Sequence, residues 1–257
     1  MAQEVCPVCG GSGWKIVERE GISGAERCEC ALESRAARLE EQAGIPPLYQ
    51  KASFDNFSVT FKDNEMARRE LSEIRMLAMT FANKFPSETQ PGLLLIGEPG
   101  TGKTHLAVAA LRRIIDKGYA GLFFDYQNLL DSIRSGYNAA AGASDKEAYR
   151  FAMDAEVLLL DDLGAHRVTE WVEDTITSII IYRCNNKKPL IATTNLPDAG
   201  AGDAIVRRSA DSAGQIEYRT TLADRIGGRA RSRLFEMCRV VKMPLVEDYR
   251  LRKTASM

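Results

Sequence analysis

The stretch GEPGTGKT, Gly97 to Thr104, decides how the rest of the chain is read. Its glycines allow backbone N–H groups to converge on one point, and a lysine and a threonine follow immediately. Such a loop suits a phosphate group: the amides cradle it, Lys103 neutralises its oxygens, and the Thr104 hydroxyl can ligate Mg²⁺. The apolar run Gly92–Ile96 leads into the loop and a helical stretch, His105–Lys117, leaves it with its positive dipole end aimed at the same anion. Strand, loop and helix in that order predict a phosphate-binding loop of the P-loop kind, with Gly97, Glu98, Pro99, Gly100, Thr101, Gly102, Lys103, Thr104 and His105 as nucleotide contacts.

Mg²⁺ needs an acid, and an attacking water needs a base or a positioning group. LLLDDLG, Leu158 to Gly164, ends a continuous apolar strand in two acids. Asp161 is expected to complete the Mg²⁺ shell with Thr104, and Asp162 to orient or deprotonate the water. IATTN ends another buried strand at Asn195, whose amide is placed to touch a γ-phosphate or the water. Apolar strands expected over 92–96, 120–125, 157–160, 189–193 and 239–243 alternate with helices, which specifies an α/β fold with a parallel, three-layer sheet. Leu222–Phe235 is expected as one helix, with Arg225, Arg229 and Arg233 spaced four apart along one face. Gly136–Ser144 reads as a loop and 196–220 as a long, partly helical insertion.

With 257 residues the chain holds one full core and a small appendage. Its net charge of −1 and ordinary apolar content describe a folded chain, not a disordered or fibrous one. No apolar run approaches the roughly 18 residues of a membrane span, so the expected location is cytoplasmic. In a reducing compartment the four cysteines crowded before residue 31 read as metal ligands, whereas Cys184 and Cys238 read as packing residues. Cys6, Cys9, Cys28 and Cys30 offer two close pairs of thiolates, for which tetrahedral Zn²⁺ is the natural occupant. Residues 1–43 are therefore expected to be a four-cysteine, zinc-binding, partner-docking module, 44–53 a linker, and 54–257 the ATPase domain.

The ordered set GEPGTGKTHLA, FFDYQNLLDSIR, LLLDDLG, KPLIATTN, RARSRLFEMC and DYR, preceded by IPPLYQKASFDNF, resembles the bacterial helicase loaders of the DnaC/DnaI type and the related IstB transposition ATPases. The resemblance covers about residues 45–252. It implies an AAA+ core that binds ATP, self-associates through the ATP site, contacts single-stranded DNA and loads a replicative helicase. By motif it makes Asn195 the sensor, Arg233 the arginine finger with Arg229 next, and Arg250 the late sensor arginine, with Phe54 and Phe57 near adenine. Many AAA+ ATPases carry glutamate where Asp162 stands; the shorter acid suggests slow, switch-like hydrolysis. Tyr137 and Arg134 are candidates for stacking and holding single-stranded DNA. An IstB-like transposition helper and a non-hydrolysing, ATP-binding DNA regulator are the competing expectations.

Overall fold

The computed structural model describes the chain apart from residues 1–5, 11, 20–21, 60–63, 88, 139–145, 199–205, 209–215, 219 and 252–257. An N-terminal hairpin of β1 (Trp14–Arg19) and β2 (Ile22–Arg27) precedes helix α1 (Glu29–Gln42) and a single 3₁₀ turn, Pro47–Tyr49. Then follow α2 (Glu65–Asn83), β3 (Gly92–Ile96), α3 (Lys103–Asp116), β4 (Gly121–Asp125), α4 (Tyr126–Asn138), α5 (Lys146–Asp154), β5 (Val157–Asp161), α6 (Glu170–Asn185) and β6 (Leu190–Thr194). A short hairpin, β7 (Val206–Arg208) and β8 (Ile216–Tyr218), leads to α7 (Leu222–Ile226), α8 (Gly228–Met237) and β9 (Cys238–Lys242).

Five strands form one sheet in the order β4-β5-β6-β3-β9, with every neighbour parallel. The three inner strands, GLLLI, VLLLD and LIATT, are buried at every position, as strands covered on both faces must be. Side-chain alternation divides them between two cores. Leu93, Leu95 and Leu159 face α2 and α3, whereas Leu94, Ile96, Leu158 and Leu160 face α4, α6, α7 and α8. The small run Ala107–Ala110 lets α3 lie close against the sheet while Leu111, Ile114 and Ile115 complete the first core. The chain leaves β3 for the far edge of the sheet, so the loops after β3, β5 and β6 gather at a topological switch point.

Two cations hold helix ends in place. Arg183 of α6, fully buried, donates to the carbonyls of Ala152, Met153 and Ala155 at the end of α5 and to Pro189 before β6. Lys117 does the same for the end of α2, donating to Ala82, Asn83 and Phe85. Both place positive charge on carbonyls that have no helical partner.

The structure corrects several sequence expectations. The single helix expected over Leu222–Phe235 is broken at Gly227, whose φ of 80° and ψ of 150° no helix accommodates. Arg225 therefore belongs to α7, and only Arg229 and Arg233 share the face of α8. In 196–220, Val206–Arg208 and Ile216–Tyr218 pair as an antiparallel hairpin, while 199–205 and 209–215, on which the expected partly helical insertion also falls, lie outside the described residues. Helix α4 extends to Asn138, into the stretch read as a loop, and residues 139–145 lie outside the described residues. Residues 44–53 are packed on the core: Ile45 and Ala52 are buried, and the Phe123 N–H of β4 donates to Ala43 O at 2.7 Å.

Candidate nucleotide site

The loop after β3 is fixed from below before any ligand is considered. The Gly97 N–H donates to Thr194 O at 3.2 Å, joining the loop to the end of β6. Thr101 Oγ1 and Lys103 Nζ both donate to Glu98 O, at 2.9 and 2.8 Å. Gly102 takes φ +91°, and a Cβ there would stand 2.5 Å from the Phe57 ring; both conformation and space demand glycine.

Lys103 is only 5% exposed, and burial lowers its pKa to about 8 against the opposing pull of Asp162, Asp161 and Glu98. A buried ammonium whose hydrogen bond goes to a neutral carbonyl is suited to receive an anion.

The acids expected at the end of β5 stand where the sequence placed them, in a continuous chain of hydrogen bonds. Thr104 Oγ1 donates to Asp161 Oδ2 at 3.2 Å, and Thr193 Oγ1 donates to Asp161 Oδ1 at 2.6 Å. The Asp162 N–H donates to Thr193 Oγ1 at 2.9 Å, and Asn195 Nδ2 donates to Asp162 Oδ1 at 2.9 Å. Asp162 sits in the left-handed region at φ 55°. Burial pushes the Asp161 carboxyl up, offset in part by the Thr193 hydroxyl. Thr104 Oγ1 and Asp161 are the hard oxygen donors that Mg²⁺ prefers, so the donor set fits that ion.

A cavity of about 450 Å³ opens above the loop. Its lining combines the polar Lys103, Thr104, Asp161, Asp162 and Asn195 with the largely apolar Leu48, Tyr49, Phe57, Val246 and Tyr249. A lining part charged and part apolar suits a polyphosphate joined to a base. Arg250 also lines the cavity. The chain after β9 is stitched to the loop, with the Tyr249 N–H donating to Gly100 O at 3.2 Å and the Asp248 carboxylate packed against Gly100.

Other candidates stand elsewhere. Arg229 and Arg233 line a separate shallow pocket with Ile181, Gly228 and Ser232, and Arg233 pairs with Glu236 at 2.5 Å. Phe54 and Phe57 are both buried in the first core, and Phe57 also lines the cavity. Arg134 stacks over the Trp171 ring at 4.9 Å, and the side chain of Tyr137 lies outside the described residues. Sequence reasoning missed Leu48, Tyr49, Val246 and Tyr249, whose residue types announce nothing. It also missed the ion pair of Arg231 with the buried Asp198, which gives this arginine a structural partner.

The N-terminal cysteines converge as their spacing suggests. The four sulfurs lie within 4.8 Å of one another, with Cys6–Cys28 at 3.9 Å and Cys9–Cys30 at 3.3 Å. The sulfur–sulfur edge of a tetrahedral Zn–thiolate centre is about 3.8 Å, from Zn–S bonds of about 2.3 Å. The Gly13 N–H donates to Cys9 Sγ at 3.3 Å, the kind of outer contact that steadies a ligating thiolate. The donor set thus fits Zn²⁺.

A parallel sheet with a glycine-rich anion loop after its first core strand, an acid pair after the third and an asparagine after the fourth defines a P-loop nucleotide-binding protein of the AAA+ type. Residues 27–206 match the model of the IstB-like ATP binding protein family, and the chain belongs to that family. It is 30% identical over 200 residues to the uncharacterized protein YqaM of Bacillus subtilis (strain 168), covering 75% of this chain and 59% of that one. It is 25% identical over 166 residues to the replicative helicase loader DnaC of Escherichia coli (strain K12), covering 63% of this chain and 64% of that one. The chain thus spans less than two thirds of either relative. The crystal structure of the DnaC helicase loader superposes with a TM-score of 0.60 and 30% identity, over 77% of this chain and all of that one. Among the described residues no helix is long and apolar enough to cross a membrane.

Proposed function

We propose that the chain is a slow, ATP-hydrolysing switch that loads a replicative helicase onto single-stranded DNA. The observation that carries this reading is the unbroken path Thr104–Asp161–Thr193–Asp162–Asn195, set in a fold like that of DnaC. Bound MgATP supplies the anhydride to be cleaved and a cation to neutralise its oxygens. Lys103 and the loop amides hold the phosphates, while Thr104 and Asp161 hold the Mg²⁺ shell. Asn195 occupies Asp162 Oδ1, which leaves Oδ2 to accept a proton from the attacking water. Arg250 reaches the phosphates from the same chain; Arg233, with Arg229 beside it, serves as the finger on a neighbouring copy.

Residues 1–43 form the Zn²⁺-bound docking module, whose exposed Trp14 and Ile16 offer apolar surface to a protein partner. Arg134 on Trp171 gives single-stranded DNA a cationic and aromatic platform. The test uses purified protein, the replicative helicase of the same organism and circular single-stranded DNA. Helicase should be loaded on the circle only with ATP, and Lys103→Ala should abolish loading. Loading that proceeds equally without ATP would end this reading.

The match to the IstB-like family model supports a second reading, a transposition helper that assembles on duplex DNA and recruits a transposase. ATP-dependent assembly on duplex but not single-stranded DNA, with a transposase gene adjacent, would favour it.

A further inference from the structure

Helix α3 carries His105 and Arg112 seven residues apart, two turns along one face. Both reach back to the segment that precedes α2. His105 Nε2 lies 2.9 Å from Ser53 O, and Arg112 Nη1 donates to Ala52 O at 2.8 Å. A carbonyl only accepts, so Nε2 carries the proton and the imidazole is the donor.

Immediately beyond, the chain turns on itself. The Ser53 N–H donates to Asn56 Oδ1 at 2.9 Å and the Asn56 N–H to Ser53 Oγ at 3.3 Å. The turn directs Phe57 back toward α3, where its ring centroid stands 5.5 Å from that of His105 and its edge fills the space beside Gly102. Phe57 then lines the cavity with Leu48 and Tyr49. One imidazole, next to the threonine of the phosphate loop, thus ties this wall to α3 beside the contact of Arg112.

We propose that His105 is a positioning residue for the base half of ATP, holding the Ser53–Phe57 wall against the phosphate loop. It contributes to affinity for the nucleotide and not to affinity for bare polyphosphate. His105 itself lines the cavity, and its Nε2 hydrogen bond is made to Ser53. The proposal rests on the assignment of this cavity to ATP.

The test compares binding of MgATP and of magnesium tripolyphosphate to the full chain by calorimetry. Losing one hydrogen bond that orders the wall, His105→Ala should weaken ATP about five- to tenfold and leave tripolyphosphate within about twofold. His105→Gln, whose side-chain amide can donate where Nε2 does, should restore ATP affinity to within about threefold. Equal loss for both ligands, no loss for either, or no rescue by glutamine overturns the proposal. If His105→Ala does not fold, His105→Leu, which keeps apolar volume against Phe57, is read in the same way. A wild-type chain that binds tripolyphosphate but gains nothing from the base overturns the proposal and leaves the phosphate site standing. One that binds neither ligand overturns both.

Discussion

Raising the pH should weaken ATP binding through Lys103 alone. Burial holds this ammonium at a pKa of about 8 in the free protein, and phosphate oxygens brought against it favour the charged form. If the ammonium form is required for binding, the competent fraction is about 0.9 at pH 7, about 0.5 at pH 8 and about 0.1 at pH 9. Affinity should therefore fall about tenfold from pH 7 to pH 9, and binding at pH 8 should draw in about half a proton. Free-protein stability moves the other way. The unfolded lysine keeps its proton up to the ordinary 10.5 while the folded one releases it near 8, so unfolding takes up a proton and stability rises with pH across that window. Calorimetric titration with MgATP in buffers of different ionisation enthalpy measures the proton directly. Lys103→Arg, charged throughout, should lose the pH dependence whatever its absolute affinity. Constant affinity from pH 7 to 9, or an unchanged slope in the arginine variant, would refute this reasoning.

Asn195→Ala frees Asp162 Oδ1 and should lower kcat for ATP hydrolysis about ten- to a hundredfold while the Kd for ATP stays within about threefold, as steady-state and binding measurements would show. Arg231→Ala leaves Asp198, whose side chain is 1% exposed, charged and alone, and should cost about 3 kcal/mol in urea denaturation; an effect confined to hydrolysis would instead make Arg231 part of the ATP site. Cys9→Ser, or a strong chelator, should remove one equivalent of zinc by metal analysis and change the fluorescence of Trp14, with the ATP affinity of the core unaltered.

What the sequence disclosed follows the range of the interactions concerned. The phosphate loop and the acid pair were legible because their chemistry is written in adjacent residues, and the strands because a doubly buried strand is an unbroken apolar run. Helix α5 escaped notice: its sequence KEAYRFAMD is short and charged, and its end is held by Arg183, about thirty residues further on. The break at Gly227 carried a signal, since Thr221 and Asp224 form a capping box and a glycine pair follows. The even spacing of the arginines concealed it. Beyond Phe57, which the resemblance placed near adenine, the rest of that cavity wall was not legible, because His105 meets Ser53 across 52 residues and Tyr249 meets Gly100 only after the sheet has formed.

In the proposed function Asp162, steadied by Asn195, turns a bound nucleotide over in a switch governed by single-stranded DNA. Phosphate release is to be measured for the wild-type chain and for Asp162→Asn, with and without single-stranded DNA. Slow hydrolysis that DNA stimulates is expected, lost in Asp162→Asn while ATP binding persists. No hydrolysis under any condition, or undiminished turnover in Asp162→Asn, would rule this function out.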